Sequence, residues 1–325
     1  MKRILGLWAC IIILLSSCCG CGRVEQKAAP IAYTVKDDRG TVTGFARAPE
    51  KVMTLGIWLD WMALGLVPPE QMVSVNSLLD DPISSNIVDL AKKIPSKHVN
   101  PTAEYIYAKK PDVLFVDKFV RADLVATIRD MGIKVVLIKY PNSIEDVKSG
   151  VRLMAKALAK EKQGESIVSQ MEGHLAQLHA KMAKYADQQP QRVALISVMT
   201  DYGGKGTIWD GICREAGVIN CISDVGLSHG QVYSKELLIK SCPDVLLLPG
   251  YTAHGTFDIQ KFRNQYLQDP ALATLPAIRK QKLYAPRDSY IYNCSQDVVF
   301  AVQELAACVY GEEFAQKDNL HIYAY

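Results

Sequence analysis

The side chains that could do chemistry in this 325-residue chain occur mainly in loops that follow short apolar segments. Trp58 is the first of them, in the glycine turn between the apolar segment 51–55 and a helical pattern that ends before Pro68. A strand, a glycine turn and a helix form the unit of an open α/β sheet, where ligands bind at the carboxyl ends of strands. Trp58 is therefore predicted to contact a ligand, whereas Trp61, one turn further along, fits a ligand contact or the core.

The loop 199–206 is rich in glycine but does not match a nucleotide site, because it lacks the Gly-Lys-Ser/Thr of a phosphate loop and the dinucleotide spacing. His174 and His179 are five residues apart and diverge around a helix. This argues against a histidine cluster for a bare zinc or manganese ion. No His-Glu-x-x-His motif of a metalloprotease occurs. The sequence thus favours ligand binding over nucleotide or bare-metal chemistry.

Two glutamates occupy matching positions in the two halves of the chain. Glu104 and Glu236 are each followed seven residues later by Pro-Asp-Val and then by an apolar segment. Thr102 and Ser234 precede them by two residues and are good helix N-caps, so both glutamates are expected in a first helical turn. The repeat indicates that the two halves fold alike.

The segment 160–186 lies between the halves and is predicted to form one long helix. It contains no proline, and at 1.5 Å per residue it would span roughly 40 Å. Its apolar residues recur at steps of three and four, the period of one helical face. We expect this face to pack against the flanking lobes, and it consists of Val168, Met171, Leu175, Leu178, Met182 and Tyr185.

On both sides of this helix the chain alternates between apolar strand-like runs and helical patterns, which is typical of α/β domains. An edge hairpin is predicted at 33–45, around Asp38-Arg39-Gly40. The predicted organisation is an N-terminal α/β lobe at 32–159, a connecting helix at 160–186 and a C-terminal α/β lobe at 187–325.

The first thirty residues have the layout of an export signal. Lys2 and Arg3 precede an apolar run at 4–15 that is too short to span a bilayer comfortably. Leu-Ser-Ser-Cys at 15–18 resembles a bacterial lipobox, in which Cys18 is acylated and becomes the first mature residue. This predicts a signal peptide at 1–17, a lipidated tether at 18–31, and export to a bacterial membrane facing the periplasm or the cell exterior. An uncleaved anchor or an ordinary signal peptide is the alternative.

The charge balance limits the classes of binding partner, and the cysteine count limits which disulfides can be assigned. The chain has 37 basic and 34 acidic residues, and it is close to neutral once Lys2 and Arg3 are removed, so nucleic acid is not expected as a partner. An exported protein can form disulfides, but an odd number of cysteines leaves one thiol over, and spacing alone assigns no pairs. The cysteines of the folded part are Cys213, Cys221, Cys242, Cys294 and Cys308.

Taken together, these features resemble the substrate-binding lipoproteins of bacterial ABC importers for iron chelates and cobalamin, whose lobes are joined by one long helix. The resemblance covers essentially the whole mature chain and rests on the order and spacing of several motifs. They are the lipobox at Cys18, the segments 35–40 and 49–52, the two glutamate blocks, Asp269-Pro270 and Leu283-Tyr284. The resemblance implies an α/β fold of two Rossmann-like lobes joined by one long rigid α-helix, with a ligand cleft between the lobes.

The same resemblance implies a binding component without enzymatic activity or a cofactor. It would capture a metal chelate, with an iron-siderophore or haem favoured and cobalamin next, and deliver it as a monomer to the permease and ATPase subunits in the membrane. A smaller oxyanion such as molybdate is an alternative ligand. An envelope lipoprotein hydrolase and a structural envelope protein are the alternatives from other classes.

Loops at strand ends from both lobes are expected to line the cleft. Aromatic rings with polar tips suit a large, flat or greasy chelate, and arginines could grip an anionic siderophore. A Tyr or His could ligate haem iron directly, but no site for a bare metal is expected. Arg121 and Arg287 also fit solvated loop charges, and His229 fits an exposed loop residue. The predicted ligand-binding residues are Trp58, Asn76, Lys118, Arg121, Tyr140, Tyr202, His229, Tyr251, Arg287, Tyr290 and Tyr292.

In the resembled class, one surface glutamate on each lobe docks against basic residues of the permease. By position these residues would be Glu104 and Glu236. A carboxylate in a first helical turn is also stabilised by the helix dipole, by about 0.3–1 kcal/mol, and then needs no partner. The placement of both glutamates at matching positions favours docking, because it provides a grip at two points.

Overall fold

The computed structural model describes residues 30–197, 202–227, 234–250 and 258–325. Its first element is the predicted hairpin, in which β1 (Tyr33–Lys36) pairs antiparallel with β2 (Val42–Phe45). The Asp37 carboxylate closes the turn by accepting hydrogen bonds from the N–H groups of Arg39 and Thr41. Gly40 has a φ of 84°, a conformation that glycine adopts without strain.

A five-stranded parallel sheet forms the centre of the first lobe, in the order β5-β4-β3-β6-β7. The central strands β3 and β6 are buried along their whole length, which explains their nearly continuous apolar sequence. The strands are β3 (Val52–Leu55), β4 (Met72–Asn76), β5 (Lys97–His98), β6 (Val113–Val116) and β7 (Val135–Leu137). The helices are α1 (Ile57–Leu66), α2 (Val88–Ala91), α3 (Ala103–Lys109), α4 (Ala122–Asp130) and α5 (Ile144–Ala157).

The long connecting helix is α6 (Glu161–Met182), and a single 3-10 turn extends it over Ala183–Tyr185. The prediction of its apolar face is confirmed. Val168, Met171, Leu175 and Leu178 are buried, and Met182 and Tyr185 are partly buried against the same core. Helix α6 packs along α5, and the Arg152–Glu165 and Lys148–Glu172 ion pairs bridge the two helices.

The second lobe contains a four-stranded parallel sheet in the order β11-β10-β8-β9. Its strands are β8 (Arg192–Leu195), β9 (Ile219–Asn220), β10 (Val245–Leu247) and β11 (Leu283–Tyr284). Its helices are α7 (Ile208–Glu215), α8 (Cys221–Asp224), α9 (Lys235–Ser241), α10 (Ile259–Leu267), α11 (Pro276–Arg279), α12 (Asp288–Ile291) and α13 (Val298–Tyr310). The described residues thus form two lobes with parallel sheets and a helix between them, and the predicted α/β fold class is confirmed.

The two glutamate blocks fold alike, as their sequences predict. Thr102 and Ser234 each accept a hydrogen bond from a backbone N–H three residues on, at 3.3 Å. Helices α3 and α9 each contain seven residues, and each ends at a residue in the left-handed conformation, Lys110 with φ 49° and Cys242 with φ 46°.

The aspartate of each Pro-Asp-Val sequence ties its block to the sheet in the same way. Asp112 accepts a hydrogen bond from the N–H of Lys51 at 2.9 Å, and Asp244 accepts one from the N–H of Arg192 at 3.0 Å. The donors, Lys51 and Arg192, lie at or directly before the start of a strand that pairs with the strand following the aspartate. The two blocks are therefore structural equivalents.

Buried polar contacts join the second lobe to the first. Asn86 donates from Nδ2 to Asp297 at 2.7 Å, and Gln296 donates from Nε2 to the carbonyl of Trp61 at 2.9 Å. Gly65 allows this approach, because a Cβ there would lie 2.3 Å from Gln296 Nε2. Residues of both lobes and of α6 thus pack into one continuous hydrophobic core.

No helix in the described part of the chain combines the length and the apolar character needed to cross a bilayer.

Candidate functional site

A cavity of about 790 Å³ opens at the carboxyl ends of β3, β4, β5 and β6 in the first lobe. The residues that line it come from the loops after these strands and after β7, and from helices α1, α3 and α4, as expected for an open parallel sheet. Four residues predicted to bind ligand are among them, namely Trp58, Asn76, Arg121 and Tyr140. Residues 198–201, 228–233 and 251–257 lie outside the described residues, and with them His229 and Tyr251.

Trp58 forms part of the cavity wall, but most of its surface is buried in the lobe. It follows Gly56, whose φ of 146° turns the chain from β3 into α1. Only 5% of Trp58 is exposed, and its Nε1 donates a hydrogen bond to Asp117 at 2.7 Å. The Tyr140 ring meets the Trp58 ring edge-on, with centroids 5.7 Å apart. Trp58 therefore offers the cavity a fixed apolar surface, and its polar atom is already bonded.

The segment after β6 supplies the most exposed aromatic ring at this site. The Asp117 carboxylate, which is buried, accepts hydrogen bonds from both Trp58 and the N–H of Phe119. The Phe119 side chain is 60% exposed, and its ring lies 5.2 Å from that of Tyr140 in an edge-on arrangement. Lys118 Nζ lies 5.1 Å and 5.7 Å from the centroids of Phe119 and Tyr140. These contacts place a cation beside two rings that line the cavity.

Phe119 was not among the predicted site residues, although its neighbour Lys118 was. The available signal was its position: Phe119 lies three residues beyond a buried strand, in the same loop as Lys118. From sequence, an apolar residue in such a loop is equally consistent with a place in the core and with a ligand contact. Its exposure becomes evident only in the folded chain.

Asn76 is the last residue of β4, and its backbone N–H is bonded to the buried carboxylate of Asp60. Its N–H donates to Asp60 at 2.9 Å, and its Oδ1 accepts from the N–H of Leu78 at 2.9 Å. Asp60 is fully buried and also accepts a hydrogen bond from the Thr54 hydroxyl. Burial raises the pKa of Asp60 to about 7, and the hydrogen bonds from Thr54 and Asn76 oppose that shift.

His98 reaches the cavity from β5 and is a second residue that the sequence did not single out. Its Nδ1 lies 2.9 Å from Ser74 Oγ, which in turn lies 3.0 Å from the Tyr105 hydroxyl. Burial lowers the pKa of His98 to about 4, so the ring is neutral at pH 7. The cavity floor therefore contains an uncharged imidazole connected by hydrogen bonds to helix α3.

Tyrosines from both lobes meet around Cys294. The Tyr140 hydroxyl lies 3.2 Å from Cys294 Sγ, and the Tyr202 and Tyr292 rings are 4.9 Å apart. Tyr292 donates to Ser197 Oγ at 3.0 Å, and Tyr202 donates to the Ile291 carbonyl. Burial raises the pKa of Cys294 to about 12 and the pKa of both Tyr202 and Tyr292 above their usual range. The structure thus brings three predicted residues together as a neutral contact between the lobes.

Two other predicted residues lie elsewhere. Tyr290 is fully buried, and its hydroxyl accepts a hydrogen bond from the N–H of Leu320 at 2.6 Å. Arg287 is paired with Glu304 and donates to the carbonyl of Gln316 at 3.0 Å. Both side chains hold the C-terminal segment in place, and the structure does not bring either to the cavity.

Arg121 lies at the rim of the cavity and is mostly exposed. Its guanidinium pairs with Asp123, and Nε and Oδ1 are 3.0 Å apart. The hydrogen bond that Arg121 donates to Asp123 raises the pKa of Arg121, which is charged at any physiological pH. Arg121 therefore adds a surface cation to the rim, where a ligand would have to compete with Asp123.

The cavity supplies contacts for a bound ligand. In the ranges 30–197, 202–227, 234–250 and 258–325, no group of three His, Cys, Asp or Glu side chains is placed to hold a metal ion. The five cysteines of the folded part are all free thiols. The cavity offers apolar and aromatic surface, the cation Arg121 at its rim, and the carboxylates of Glu104, Asp117 and Asp123. Lys118 lies beside two of its rings.

A short sequence in the second half of the chain resembles a hydrolase motif. Residues 226–230 read Gly-Leu-Ser-His-Gly and match the letters of the Gly-x-Ser-x-Gly nucleophile turn, which requires a strand before the serine. The element before it is the short helix α8, which ends at Asp224, and Gly226 follows in a turn. Ser228 and His229 themselves lie outside the described residues. The described context therefore differs from that of a hydrolase nucleophile.

Both glutamates of the repeated blocks are exposed. In each case the pKa is lowered, first by a hydrogen bond from the residue's own backbone N–H and then by the capping hydroxyl of Thr102 or Ser234. Neither carboxylate forms an ion pair with any residue that the structure describes. Glu104 and Glu236 are thus two ionised groups at equivalent places on the two lobes.

Two lobes with parallel sheets, joined by one long helix, are the architecture of a two-lobed solute-binding protein. Residues 61–290 match the periplasmic binding protein family, and the chain belongs to that family.

Individual relatives differ in what they bind. The chain is similar to an uncharacterized ABC transporter substrate-binding lipoprotein, YvrC of Bacillus subtilis, with 21% identity over 97% of this chain and 100% of the relative. Its fold resembles that of the periplasmic haem-binding protein RhuT from Roseiflexus (TM-score 0.65, 23% identity, covering 82% of this chain and 99% of RhuT). It also resembles molybdate-bound MolA of Haemophilus influenzae (TM-score 0.69, 19% identity, covering 86% and 91%).

Proposed function

We propose that this protein is the substrate-binding component of an ABC importer and that its ligand is a metal chelate. An iron-siderophore or haem is favoured, and cobalamin is next. The observation that carries this proposal is the cavity of about 790 Å³ with Trp58, Phe119 and Tyr140 at its wall and Lys118 beside the Phe119 and Tyr140 rings. A cavity of this size and apolar lining suits a ligand with broad faces and a peripheral negative charge.

The site residues have separate proposed roles. Phe119 and Tyr140 supply ring faces and edges for the chelate, and Lys118 and Arg121 meet its anionic groups. Asp117 holds Trp58 and the Phe119 backbone in place, so it is a positioning residue. Asn76 offers side-chain amide contacts at the end of β4. No resident cofactor is required for these roles.

A titration of the apoprotein tests this proposal. Haemin, a ferric catecholate siderophore, cyanocobalamin and sodium molybdate are added in turn while Trp fluorescence and visible absorption are followed. We expect one of the three chelates to bind with a Kd of about 1 μM or lower, and Phe119→Ala to weaken it by roughly tenfold. Met131→Ala, which removes an exposed apolar side chain outside the cavity, is the matched control and should bind as the wild type does.

Two other functions are distinguished by this titration and by a separate hydrolysis assay. A small oxyanion is the alternative ligand, since a structural neighbour was solved with molybdate. Molybdate binding without chelate binding would replace the proposed ligand class. Hydrolysis of an ester or peptide substrate that is abolished by Ser228→Ala would support the envelope hydrolase instead.

Glu104 and Glu236 are proposed to dock onto basic residues of the permease. This is supported by their exposure, their ionised state and their equivalent positions on the two lobes. Glu236→Gln, which changes a residue outside the cavity lining, should weaken chelate uptake in cells and retain chelate binding in solution, and adding Glu104→Gln should abolish uptake. Loss of both activities together would place the two glutamates in ligand binding.

The N-terminal segment is proposed to export and anchor the protein. Cys18 would carry the lipid after removal of residues 1–17, and residues 18–31 would connect the lipid to the folded part. The protein would work as a monomer. Cys18→Ala should abolish labelling by radioactive palmitate and move the protein out of the membrane fraction. Continued labelling of the variant would assign the lipid to Cys19 or Cys21.

A further inference from the structure

Large apolar side chains are exposed at the same position of both glutamate blocks. Tyr107 on α3 is 54% exposed and Ile239 on α9 is 40% exposed. Each lies three residues after the block's glutamate, and residues three apart are neighbours on a helix surface. Isolated exposed apolar residues are common on proteins and need no explanation. Two of them in equivalent places, each beside an ionised glutamate, form a repeated pattern.

The helices that carry these side chains are firmly held from beneath. Ile106 and Leu238, the residues before Tyr107 and Ile239, are fully buried in the cores of their lobes. The caps and the Asp112 and Asp244 contacts fix both ends of each block. The exposed residue and its glutamate are therefore presented on a rigid surface, which lowers the entropy cost of docking.

We infer that Tyr107 and Ile239 are apolar anchors for the permease and that each lobe docks through a pair, Glu104 with Tyr107 and Glu236 with Ile239. This inference rests on the proposed function, because the partner is the importer. The partner surface should carry two basic side chains, each next to an apolar recess. Stable interfaces combine a desolvated apolar or aromatic centre with charged groups at its rim, and both components are present here.

The two components respond differently to salt, which makes the inference testable. The measurement is the concentration of the full protein that half-maximally stimulates ATP hydrolysis by the importer in lipid nanodiscs, at 0.1 M and at 0.5 M NaCl. Contacts of Glu104 and Glu236 with basic residues should be screened at the higher salt concentration. Contacts of Tyr107 and Ile239 should persist.

Tyr107→Ser and Ile239→Ser should each raise the half-maximal concentration by roughly fivefold at both salt concentrations. Tyr107→Phe and Ile239→Leu should restore it. Val42→Ser is the matched control, since Val42 is 61% exposed on the hairpin and outside both blocks. Thermal unfolding of each variant should match that of the wild type, because the altered side chains are exposed.

Normal stimulation by both serine variants, with weakening only in the glutamine variants, would overturn the role of the apolar pair and leave docking by the glutamates intact. Failure of the wild type to stimulate the importer at all would instead overturn the proposed function. Weakening that disappears at 0.5 M NaCl would show that the serine variants act through charge, and it would also count against the inference.

Discussion

The glutamate blocks of the two lobes share their scaffold and differ in what surrounds it. Each has a hydroxyl N-cap, a buried aliphatic residue, a left-handed C-cap and an aspartate bonded to the neighbouring strand. In the first lobe, the Tyr105 hydroxyl connects α3 to Ser74, and through Ser74 to His98 in the cavity. In the second lobe, the equivalent residue is Leu237, and α9 is tied at the surface by the Lys235–Asp269 ion pair.

The comparison separates the contacts that stabilise the repeated block in both lobes from the contacts that are specific to one lobe. The shared contacts hold a helix and its glutamate at a set place against the sheet. The contacts that differ link the first block to the cavity, whereas the contacts of the second block with other described residues lie at its own surface and core. We therefore expect equal responses to changes in the shared scaffold and unequal responses to changes around it.

The largest loss of stability should come from substitution of the buried aliphatic residue of each block. Ile106→Ala and Leu238→Ala each delete a fully buried side chain and should lower the free energy of unfolding by about 3 kcal/mol. Chemical denaturation monitored by circular dichroism measures both values. A cost below 1 kcal/mol for one variant alone would break the equivalence of the two blocks.

The next effect concerns the buried carboxyl beneath the cavity. The pKa of Asp60 is raised to about 7, so between its ordinary value of 3.8 and 7 the folded protein holds a proton that the unfolded chain releases. The stability that this group contributes is present at low pH and is lost as pH rises through about 7. The stability of the wild type relative to Asp60→Asn should therefore fall by about 3 kcal/mol between pH 4.5 and pH 8.

His98 changes stability in the opposite direction and must be separated from Asp60. Its pKa is lowered to about 4, so its contribution is present above the ordinary value of 6.5 and is lost as pH falls toward 4. Because His98 is present in both proteins, the difference between the wild type and Asp60→Asn isolates Asp60. A difference that does not vary with pH would show that Asp60 is ionised throughout.

The helix caps should give smaller and matched effects. Thr102→Ala and Ser234→Ala each remove the acceptor of one backbone N–H and should cost about 1 kcal/mol. Thermal unfolding of the two single variants and the double variant checks this. The two costs should add, because the caps lie in different lobes, and strong coupling would contradict their independence.

The smallest effect is expected at the surface ion pair of the second block. Lys235→Ala should cost about 0.5 kcal/mol or less, because Lys235 and Asp269 are partly exposed and such pairs contribute little. Tyr105→Phe, which removes a hydroxyl bonded to Ser74, Ser96 and Lys97, should cost more. Equal costs in denaturation experiments would remove the distinction drawn between the two lobes.

Most of the fold could be predicted because it follows from local patterns. The hairpin 33–45, the apolar face of α6, and the capping of α3 and α9 by Thr102 and Ser234 depend on residues close together in sequence. The matching Pro-Asp-Val sequences then indicated that the lobes are alike. These signals are short-range, so tertiary contacts had little opportunity to override them.

The site was less predictable because it depends on contacts between distant residues. Tyr290 follows a strand as expected, yet Leu320, thirty residues later, covers its hydroxyl. Arg287 is drawn away by Glu304. His98 enters the cavity from the edge strand β5, which is only two residues long and leaves almost no sequence pattern. Strand ends can be located from sequence, but which side chains face the cavity cannot.

The central claim, that this protein carries a metal chelate in the aromatic cavity, is tested most directly by purifying it from its native host. Metal content by mass spectrometry and the visible absorption spectrum are measured for the wild type and for Phe119→Ala. We predict about one iron or cobalt atom per wild-type chain, an absorption band of the intact chelate, and loss of both in the variant. A wild-type protein without metal or chromophore after growth on each chelate, or one loaded with an oxyanion, would contradict the account.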